Sequence, residues 1–171
     1  QELDALSTSP TTSGGNVTRY QQVYQGVPVF GGNLVVSTTD EGGLVAMAGK
    51  FSTGLTLSVA PSVNADKASG IAQALVAKLY ELQPKQMKVD VPALWVYDEK
   101  MFTDSIFGPQ LVWRVEVTAA GLPIREVVLV NAQTGKISQH YNEIDTSWVL
   151  NGKPGTRKPS GTSANNGAST A

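Results

Sequence analysis

The sequence predicts an α+β fold in which antiparallel sheets pack with one main helix and form two small lobes. Three observations predict it. Residues 110–118 alternate apolar and polar side chains, the two-residue period of a half-buried strand. Turn-forming residues separate that segment from two further strands at 123–130 and 137–144. Apolar residues at intervals of three and four between residues 64 and 84 indicate one amphipathic helix.

The helix is predicted to begin after Asn64, whose side chain suits an N-cap, and to end before Pro84. Asp66 lies in the first turn, near the positive end of the helix dipole. The residues of the apolar stripe are Ala68, Ile71, Ala72, Leu75, Val76, Leu79 and Leu82. Because these positions share one face, we expect the helix to cover one face of a sheet.

Shorter extended segments precede and follow the helix. Strands are predicted at residues 17–25, 34–38, 44–49 and 91–97. Asp40 to Gly43 suit the hairpin turn between the second and third of these strands. Residues 51–57 are expected to be irregular, and residues 98–109 are predicted to form a polar loop that contains aromatic residues.

Both ends of the chain are rich in small and polar residues. Residues 1–16 are predicted to be a flexible lead-in and residues 145–171 a flexible linker or tail, because neither end has enough apolar residues for a core. No signal peptide opens the chain, so we expect any such leader to be removed or absent. The many Ser, Thr, Gly and Asn residues favour a secreted, extracellular protein.

Composition argues against several classes of function. The formal net charge of −1 argues against a broad electrostatic interaction with nucleic acid or anionic lipid. No stretch approaches the roughly 20 apolar residues of a membrane span. The chain has no cysteine, which excludes disulfides and cysteine-based metal sites.

The chain also lacks the residue patterns of hydrolytic enzymes. It has one histidine, His140, and no H-E-x-x-H motif, so a catalytic zinc site is not expected. A serine nucleophile would need a positioned base, and no G-x-S-x-G motif occurs. His140 is predicted to lie at a surface or on an edge strand, with contact to a partner as the alternative. We therefore expect that this chain alone is not an enzyme.

One loop gathers three acidic residues, Asp98, Glu99 and Asp104. Their carboxylates suit calcium, but their spacing matches no calcium-binding loop. A solvated loop is therefore the favoured interpretation.

The aromatic residues are divided between a predicted core and a predicted contact surface. The strand positions of Trp95 and Trp113 place them in the core. Tyr24, Phe30 and Phe107 lie near corners or loops and are the better candidates for contact with a partner protein.

One segment of the sequence carries a family pattern. Residues 19–32 are Arg-Tyr-Gln-Gln-Val-Tyr-Gln-Gly-Val-Pro-Val-Phe-Gly-Gly, which predicts a strand, a Gly-Val-Pro corner and a Gly-Gly turn. The segment resembles the fungalysin/thermolysin propeptide domain, in which an R-x-Q-Q-x-Y-x-G-V-P-V-F-G-G pattern recurs. The positions that match the pattern and are expected to have structural roles are Arg19, Gln22, Tyr24, Gly26, Val27, Pro28, Val29 and Gly31.

The second half of the chain resembles a PepSY-type, cystatin-like lobe. It has the predicted helix, then a W-R-V-x-V strand and a V-V-L-V-N-A-x-T-G-K-I turn. Asn131 stands where that family usually has Asp, which keeps the turn chemistry and removes the charge. Together the resemblances imply a propeptide-like N-lobe at residues 17–60 and a PepSY-like C-lobe at residues 61–144.

The resemblance implies the propeptide of a secreted thermolysin-like zinc metallopeptidase, which helps the catalytic domain to fold and inhibits it. The C-terminal tail would lie in the active-site cleft, with Ser169, Thr170 and Ala171 at the cleavage junction. The implied partner is the cognate catalytic domain, which alone is expected to hold zinc and calcium. The alternative is a stand-alone secreted PepSY-like module that binds or modulates other proteins.

Overall fold

The computed structural model describes residues 2–12 and 14–144, which form one nine-stranded sheet and one α-helix. The strands are β1 (Glu2–Pro10), β2 (Asn16–Tyr24), β3 (Val27–Thr38), β4 (Leu44–Gly49), β5 (Met87–Val89), β6 (Ala93–Tyr97), β7 (Gln110–Ala119), β8 (Arg125–Asn131) and β9 (Ile137–Asn142). The helix is α1 (Ala65–Tyr80). The α+β class predicted from the sequence is confirmed. The predicted tail at 145–171 lies outside the described residues.

The strands follow the order β1-β2-β3-β6-β7-β8-β9, with β4 paired to β3 and β5 paired to β7. These pairs are antiparallel except that β3 and β6 run in parallel, with Val29 opposite Val96. The sheet is therefore mixed, whereas the sequence predicts antiparallel sheets. A parallel pair needs a long crossover connection, and here that connection includes β4, α1 and β5.

Helix α1 begins as predicted and ends one turn early. Asn64 Oδ1 accepts a hydrogen bond of 2.9 Å from the backbone N–H of Lys67, which caps the first turn. The helix ends at Tyr80 because Glu81 adopts the left-handed conformation, with φ of 54°. Leu82 lies beyond the helix, although it packs against the same core.

The core lies on both faces of the sheet. Helix α1 covers an apolar cluster on one face, and a second cluster beside it packs against the irregular segment 55–59. A third cluster lies on the opposite face. The third cluster contains the buried residues Tyr97, Val112, Val127 and Leu129. Successive residues of β8 alternate between the two faces, so β8 is buried on both sides.

The outermost N-terminal segment differs from its prediction as a flexible lead-in. Residues 2–10 form β1, which pairs along its length with β2. Every side chain of β1 is exposed, so the strand is held by backbone hydrogen bonds and not by a buried apolar face. Because no side chain of β1 is buried, its sequence lacks the apolar–polar alternation from which a strand is predicted.

Strand β3 is continuous where the sequence predicts a corner, a Gly-Gly turn and a separate strand. The chain reverses earlier, at Gln25 and Gly26, which both have positive φ (49° and 78°), as a type I′ hairpin requires. Gly31 and Gly32 lie inside β3, so the predicted turn at these glycines is wrong.

A side chain from β2 explains why β3 continues. The register between the two strands shifts between Gln21 and Val23, and residues 29–32 leave the β2 ladder. The amide of Gln21 donates to the carbonyl oxygens of Val29 (2.7 Å) and Gly32 (3.1 Å). These bonds satisfy carbonyls that the ladder no longer reaches, which allows β3 to approach β6.

Among the described residues, 2–12 and 14–144, α1 is the one α-helix, and no helix there is both long enough and apolar enough to span a membrane.

Candidate functional site

A cluster of aromatic rings lies on the face of the sheet opposite α1. Phe30 is its centre, with ring centroids 6.1 Å from Trp95, 6.2 Å from Tyr97, 5.8 Å from Phe102 and 6.2 Å from Tyr141. Tyr97 also stacks on Phe102 with centroids 6.0 Å apart. Edge and offset contacts of this kind are favourable between aromatic rings. We call these five residues the aromatic surface.

The strand register places these rings on one face. Trp95 and Tyr97 are two residues apart on β6 and so point the same way. Tyr141 is opposite Val127, a residue of the third core cluster. Burial raises the pKa of the Tyr97 and Tyr141 hydroxyls, with nearby carboxylates adding to the effect. The aromatic surface is therefore buried where it packs on the sheet, at Tyr97, and exposed at its edge, at Phe102.

Arg114, Glu116 and Arg125 lie on the same face as the rings, according to the register, and Glu143 follows the end of β9. Arg114 pairs with Glu116 (3.4 Å) and Glu143 (3.1 Å), and Arg125 pairs with the same two carboxylates at 2.7 and 3.2 Å. The hydrogen bond to Glu116 raises the pKa of Arg125 above its ordinary value. Because each charge has two opposite partners, this network is a neutral, polar border for the aromatic surface.

The loop between β6 and β7, residues 98–109, exposes apolar side chains. We call it the apolar loop. The exposed fractions are 52% for Phe102, 93% for Ile106 and 60% for Phe107. Ser105 Oγ donates to Glu99 Oε2 (2.6 Å) and accepts from the backbone N–H of Phe107 (3.1 Å), so the loop folds back on itself. Its exposed side chains are thus presented on a closed turn.

The base of the apolar loop is fixed to the N-terminal strands. Gln22 of β2 exchanges two side-chain hydrogen bonds with the backbone of Ser52, at 2.7 and 2.9 Å. Ser52 Oγ in turn donates to Asp98 Oδ2, and Lys50 Nζ donates to the carbonyl of Met101 (3.1 Å). Asp98 is therefore buried, and its prediction as part of a solvated loop is wrong. The sequence could not show its distant partner, Ser52.

The three predicted contact residues lie in different environments. Tyr24 is buried, and its hydroxyl donates to the carbonyl of Leu57 (3.2 Å), so its ring belongs to the core. Phe30 is the centre of the aromatic surface, and Phe107 is exposed on the apolar loop. The structure thus places Phe30 at the centre of the aromatic surface, Phe107 on the apolar loop and Tyr24 in the core.

Other positions of the family pattern lie on β2 and β3, some in the core and some at the surface. Val27 and Val29 are core residues, and Pro28 lies within β3 opposite Val23, where the register is irregular. Arg19 is exposed on β2. Gln22 connects β2 to the segment that fixes the apolar loop.

The single histidine lies on the helix side of the sheet. His140 is on β9, the last strand of the sheet, and its Nδ1 is 2.6 Å from Glu126 Oε1. Tyr80 donates to the other oxygen of this buried carboxylate at 2.8 Å. The predicted edge position of His140 is confirmed, although its ring faces α1. Across residues 2–12 and 14–144, no three His, Asp or Glu side chains converge to hold a metal ion.

Sequence analysis missed two parts of this site. Phe102 and Ile106 were within a loop described as polar, and their apolar character was the available signal. The partnership of Arg125 with Glu143 depends on the pairing of β7, β8 and β9, which no local pattern specifies. The predicted junction residues Ser169, Thr170 and Ala171 lie outside the described residues.

Comparison with known proteins supports the N-terminal family pattern. Residues 1–51 match the family described as the Fungalysin/Thermolysin Propeptide Motif. The resemblance stated from residues 19–32 is therefore confirmed, and the match begins earlier than the predicted boundary at residue 17. It covers β1 to β4 and ends at Phe51, just before the segment that fixes the apolar loop.

One curated relative aligns with most of the chain. The Hemagglutinin/proteinase of Vibrio cholerae serotype O1 is 28% identical over 158 residues, which is 92% of this chain and 26% of the relative. The chain thus spans about a quarter of the length of the relative that it matches. Among solved structures, the Bacillus megaterium YpeB C-terminal domain is similar, with 15% identity and a TM-score of 0.43, over 83% of this chain and 57% of that chain. This distant likeness leaves the PepSY-type resemblance a prediction.

Proposed function

We propose that this chain is the propeptide of a secreted thermolysin-like zinc metallopeptidase, and that it both assists folding of the catalytic domain and inhibits it. The observation that carries the proposal is the propeptide motif at residues 1–51. The alignment of nearly the whole chain with about a quarter of a proteinase supports it, because a propeptide is one part of a longer precursor.

In this proposal the chain has two lobes and a tail. Residues 17–60 are the propeptide-type lobe, residues 61–144 are the PepSY-like lobe, and residues 145–171 extend into the active-site cleft. An extended segment can bind a cleft through backbone hydrogen bonds without needing a core of its own. Zinc and calcium belong to the catalytic domain.

Folding assistance follows from mass action. A surface that binds the native catalytic domain, and not its unfolded chain, stabilises the native state by an amount that grows with concentration. The same contact inhibits the enzyme if the bound chain also occupies the cleft. One binding event therefore accounts for both activities.

The test uses the full chain and the mature catalytic domain of the same precursor. Casein hydrolysis is measured with rising amounts of the chain, and recovery of activity is measured after dilution of the denatured catalytic domain with and without it. We expect inhibition near equimolar ratio and a higher yield of refolded enzyme. An unchanged rate across a stoichiometric excess, together with an unchanged refolding yield, would refute the proposal.

A shortened chain tests the role of the tail independently of the folded part of the chain. A chain that lacks residues 160–171 keeps every described element, because all of them lie within residues 2–144. We expect weaker inhibition and an unchanged cooperative unfolding transition. Full inhibition by the shortened chain would show that the tail does not act in the cleft.

A further inference from the structure

We propose that the apolar loop and the adjoining aromatic surface form the site at which the body of this chain docks on the peptidase catalytic domain. The proposal rests on the proposed function, since it names the surface through which that partner is bound. The decisive observation is the exposure of Phe102, Ile106 and Phe107 on one short loop between β6 and β7.

Two side chains of this loop, Ile106 and Phe107, gain little stability from burial within the fold. Ile106 and Phe107 leave most of their surface in water, although burying a side chain of this size is worth about 1.5–3 kcal/mol. Exposed apolar residues that stand singly are common, but several on one loop mark an interaction site. A partner surface is therefore the expected cover for them.

The loop is held in place before any partner arrives. Asp98 at its base is bonded to Ser52, Lys50 is bonded to Met101, and Ser105 closes the turn through Glu99. A loop that is already ordered loses little conformational entropy when it binds. This arrangement favours docking as a rigid projection.

The loop and the aromatic rings form a continuous surface with a polar border. Phe102 belongs to both, because its ring contacts Phe30 and Tyr97 while its outer side is exposed. Tyr141 lies at the other side of the rings, with its ring centroid 6.2 Å from that of Phe30. Aromatic anchors surrounded by polar groups are the usual composition of binding hot spots.

The occupant is a folded protein surface with an apolar depression. The neutral ionic network offers no excess charge for nucleic acid or an anionic membrane. In the proteinase that aligns with this chain, about three quarters of the polypeptide lies outside the alignment, so a large partner surface is present in the same precursor. These observations favour the catalytic domain over a second copy of this chain.

The experiment compares Ile106→Ser, Phe107→Ser and their double variant with Val91→Ser. Val91 is a matched control, because it is 92% exposed and lies outside the loop. Binding of each full-length variant to the mature catalytic domain is measured by calorimetry, and inhibition is measured separately. We expect the double variant to raise Kd by about tenfold or more and Val91→Ser by less than about twofold.

Folding controls keep the result interpretable. All three positions are exposed, so denaturant midpoints are expected to match that of the unchanged chain. If a serine variant does unfold, Ile106→Thr and Phe107→Gln are measured in its place. Equal Kd values for the folded double variant and the unchanged chain would overturn the docking site while leaving the proposed function intact.

Three other outcomes bear on the two proposals. If the unchanged chain neither binds nor inhibits the catalytic domain, the proposed function and the docking site both fail. If the unchanged chain sediments as a dimer that the double variant abolishes, the occupant is a second copy and the proposal is wrong. Binding without inhibition refutes only the inhibitory role, since Kd still reports on the loop.

Discussion

The outer N-terminal strands and the C-terminal strands belong to one sheet but are stabilised by different forces. Every side chain of β1 and β4 is exposed, whereas β8 is buried on both faces. The outer strands are held by backbone pairing, and β6 to β9 are held by packing against α1 and the aromatic surface. The family match over residues 1–51 covers both kinds of strand, since it includes the exposed β1 and β4 and also core residues such as Val29 and Leu34 of β3.

The junction between the two regions is built from specific contacts. Strand β3 pairs with β2, β4 and β6, and it carries both Phe30 and Gly31. Gln22 and Ser52 add a second connection, from β2 to the apolar loop. The family pattern therefore contributes to both regions, because Tyr24, Val27 and Val29 fill the core while Gln22 connects β2 to the segment that fixes the apolar loop.

The largest effect is expected from truncation in β8. Leu129 is fully buried in the third cluster, so Leu129→Ala should lower the free energy of unfolding by about 2–5 kcal/mol. Leu44 of β4 is 66% exposed, so Leu44→Ala should change the free energy of unfolding by less than about 0.5 kcal/mol. Urea unfolding of both variants measures the contrast. Similar losses would show that the outer strands do have a packed core.

The next effect tests the junction at Gly31. Gly31 has φ of 74°, and an added Cβ would lie 2.5 Å from Cζ of Phe102. Gly31→Ala thus combines backbone strain with overpacking and should cost about 2–4 kcal/mol. Gly121 has the same φ and no atom within 4 Å of an added Cβ, so Gly121→Ala isolates the strain, about 1–2 kcal/mol. Equal losses on urea unfolding would mean that Phe102 moves aside freely.

The sequence predicted the elements whose signals are local. The stripe from Ala68 to Val76 and the cap at Asn64 predicted α1, and the alternation in residues 110–118 predicted the strand β7. Turn residues correctly separated β7, β8 and β9. These features depend on neighbours within a few residues, so the chain itself displays them.

The sequence failed where structure depends on distant partners. β1 has no apolar alternation, and β3 continues because the Gln21 side chain replaces missing ladder bonds. Likewise, Asp98 is buried because Ser52 reaches it from 46 residues away. The sequence therefore predicts a polar loop with aromatic residues and a solvated acidic cluster at 98–109, and it indicates only Phe107 of the exposed apolar residues as a contact.

A smaller effect is expected at the cap of α1, which covers the helix side of the C-terminal strands. Asn64→Ala removes the acceptor for Lys67 N–H and should cost about 1 kcal/mol. Asn64→Ser keeps an acceptor and should be close to neutral. Thermal unfolding of the two variants gives the difference. Equal midpoints would show that packing on the sheet, and not the cap, fixes the helix start.

The smallest effect concerns alkaline pH and the aromatic surface. Burial raises the pKa of Tyr97 above 10.0, as do the charges of Glu99 and Asp98. A raised folded-state pKa means that the folded protein holds this proton more tightly than the unfolded chain does. The resulting stability is fully present below about pH 10 and is lost as pH rises through the folded-state pKa.

Tyr97→Phe removes this titration, so its urea midpoint should fall less between pH 9 and pH 11 than that of the unchanged chain. Tyr141→Phe is a parallel test, because burial also raises the pKa of Tyr141. Lysine side chains titrate over this pH range in all of these proteins, so the difference between the pH profiles of the variants isolates the titration of the tyrosine. Parallel pH profiles would mean that these hydroxyls reach water, and that the base of the aromatic surface is more open than the burial of Tyr97 indicates.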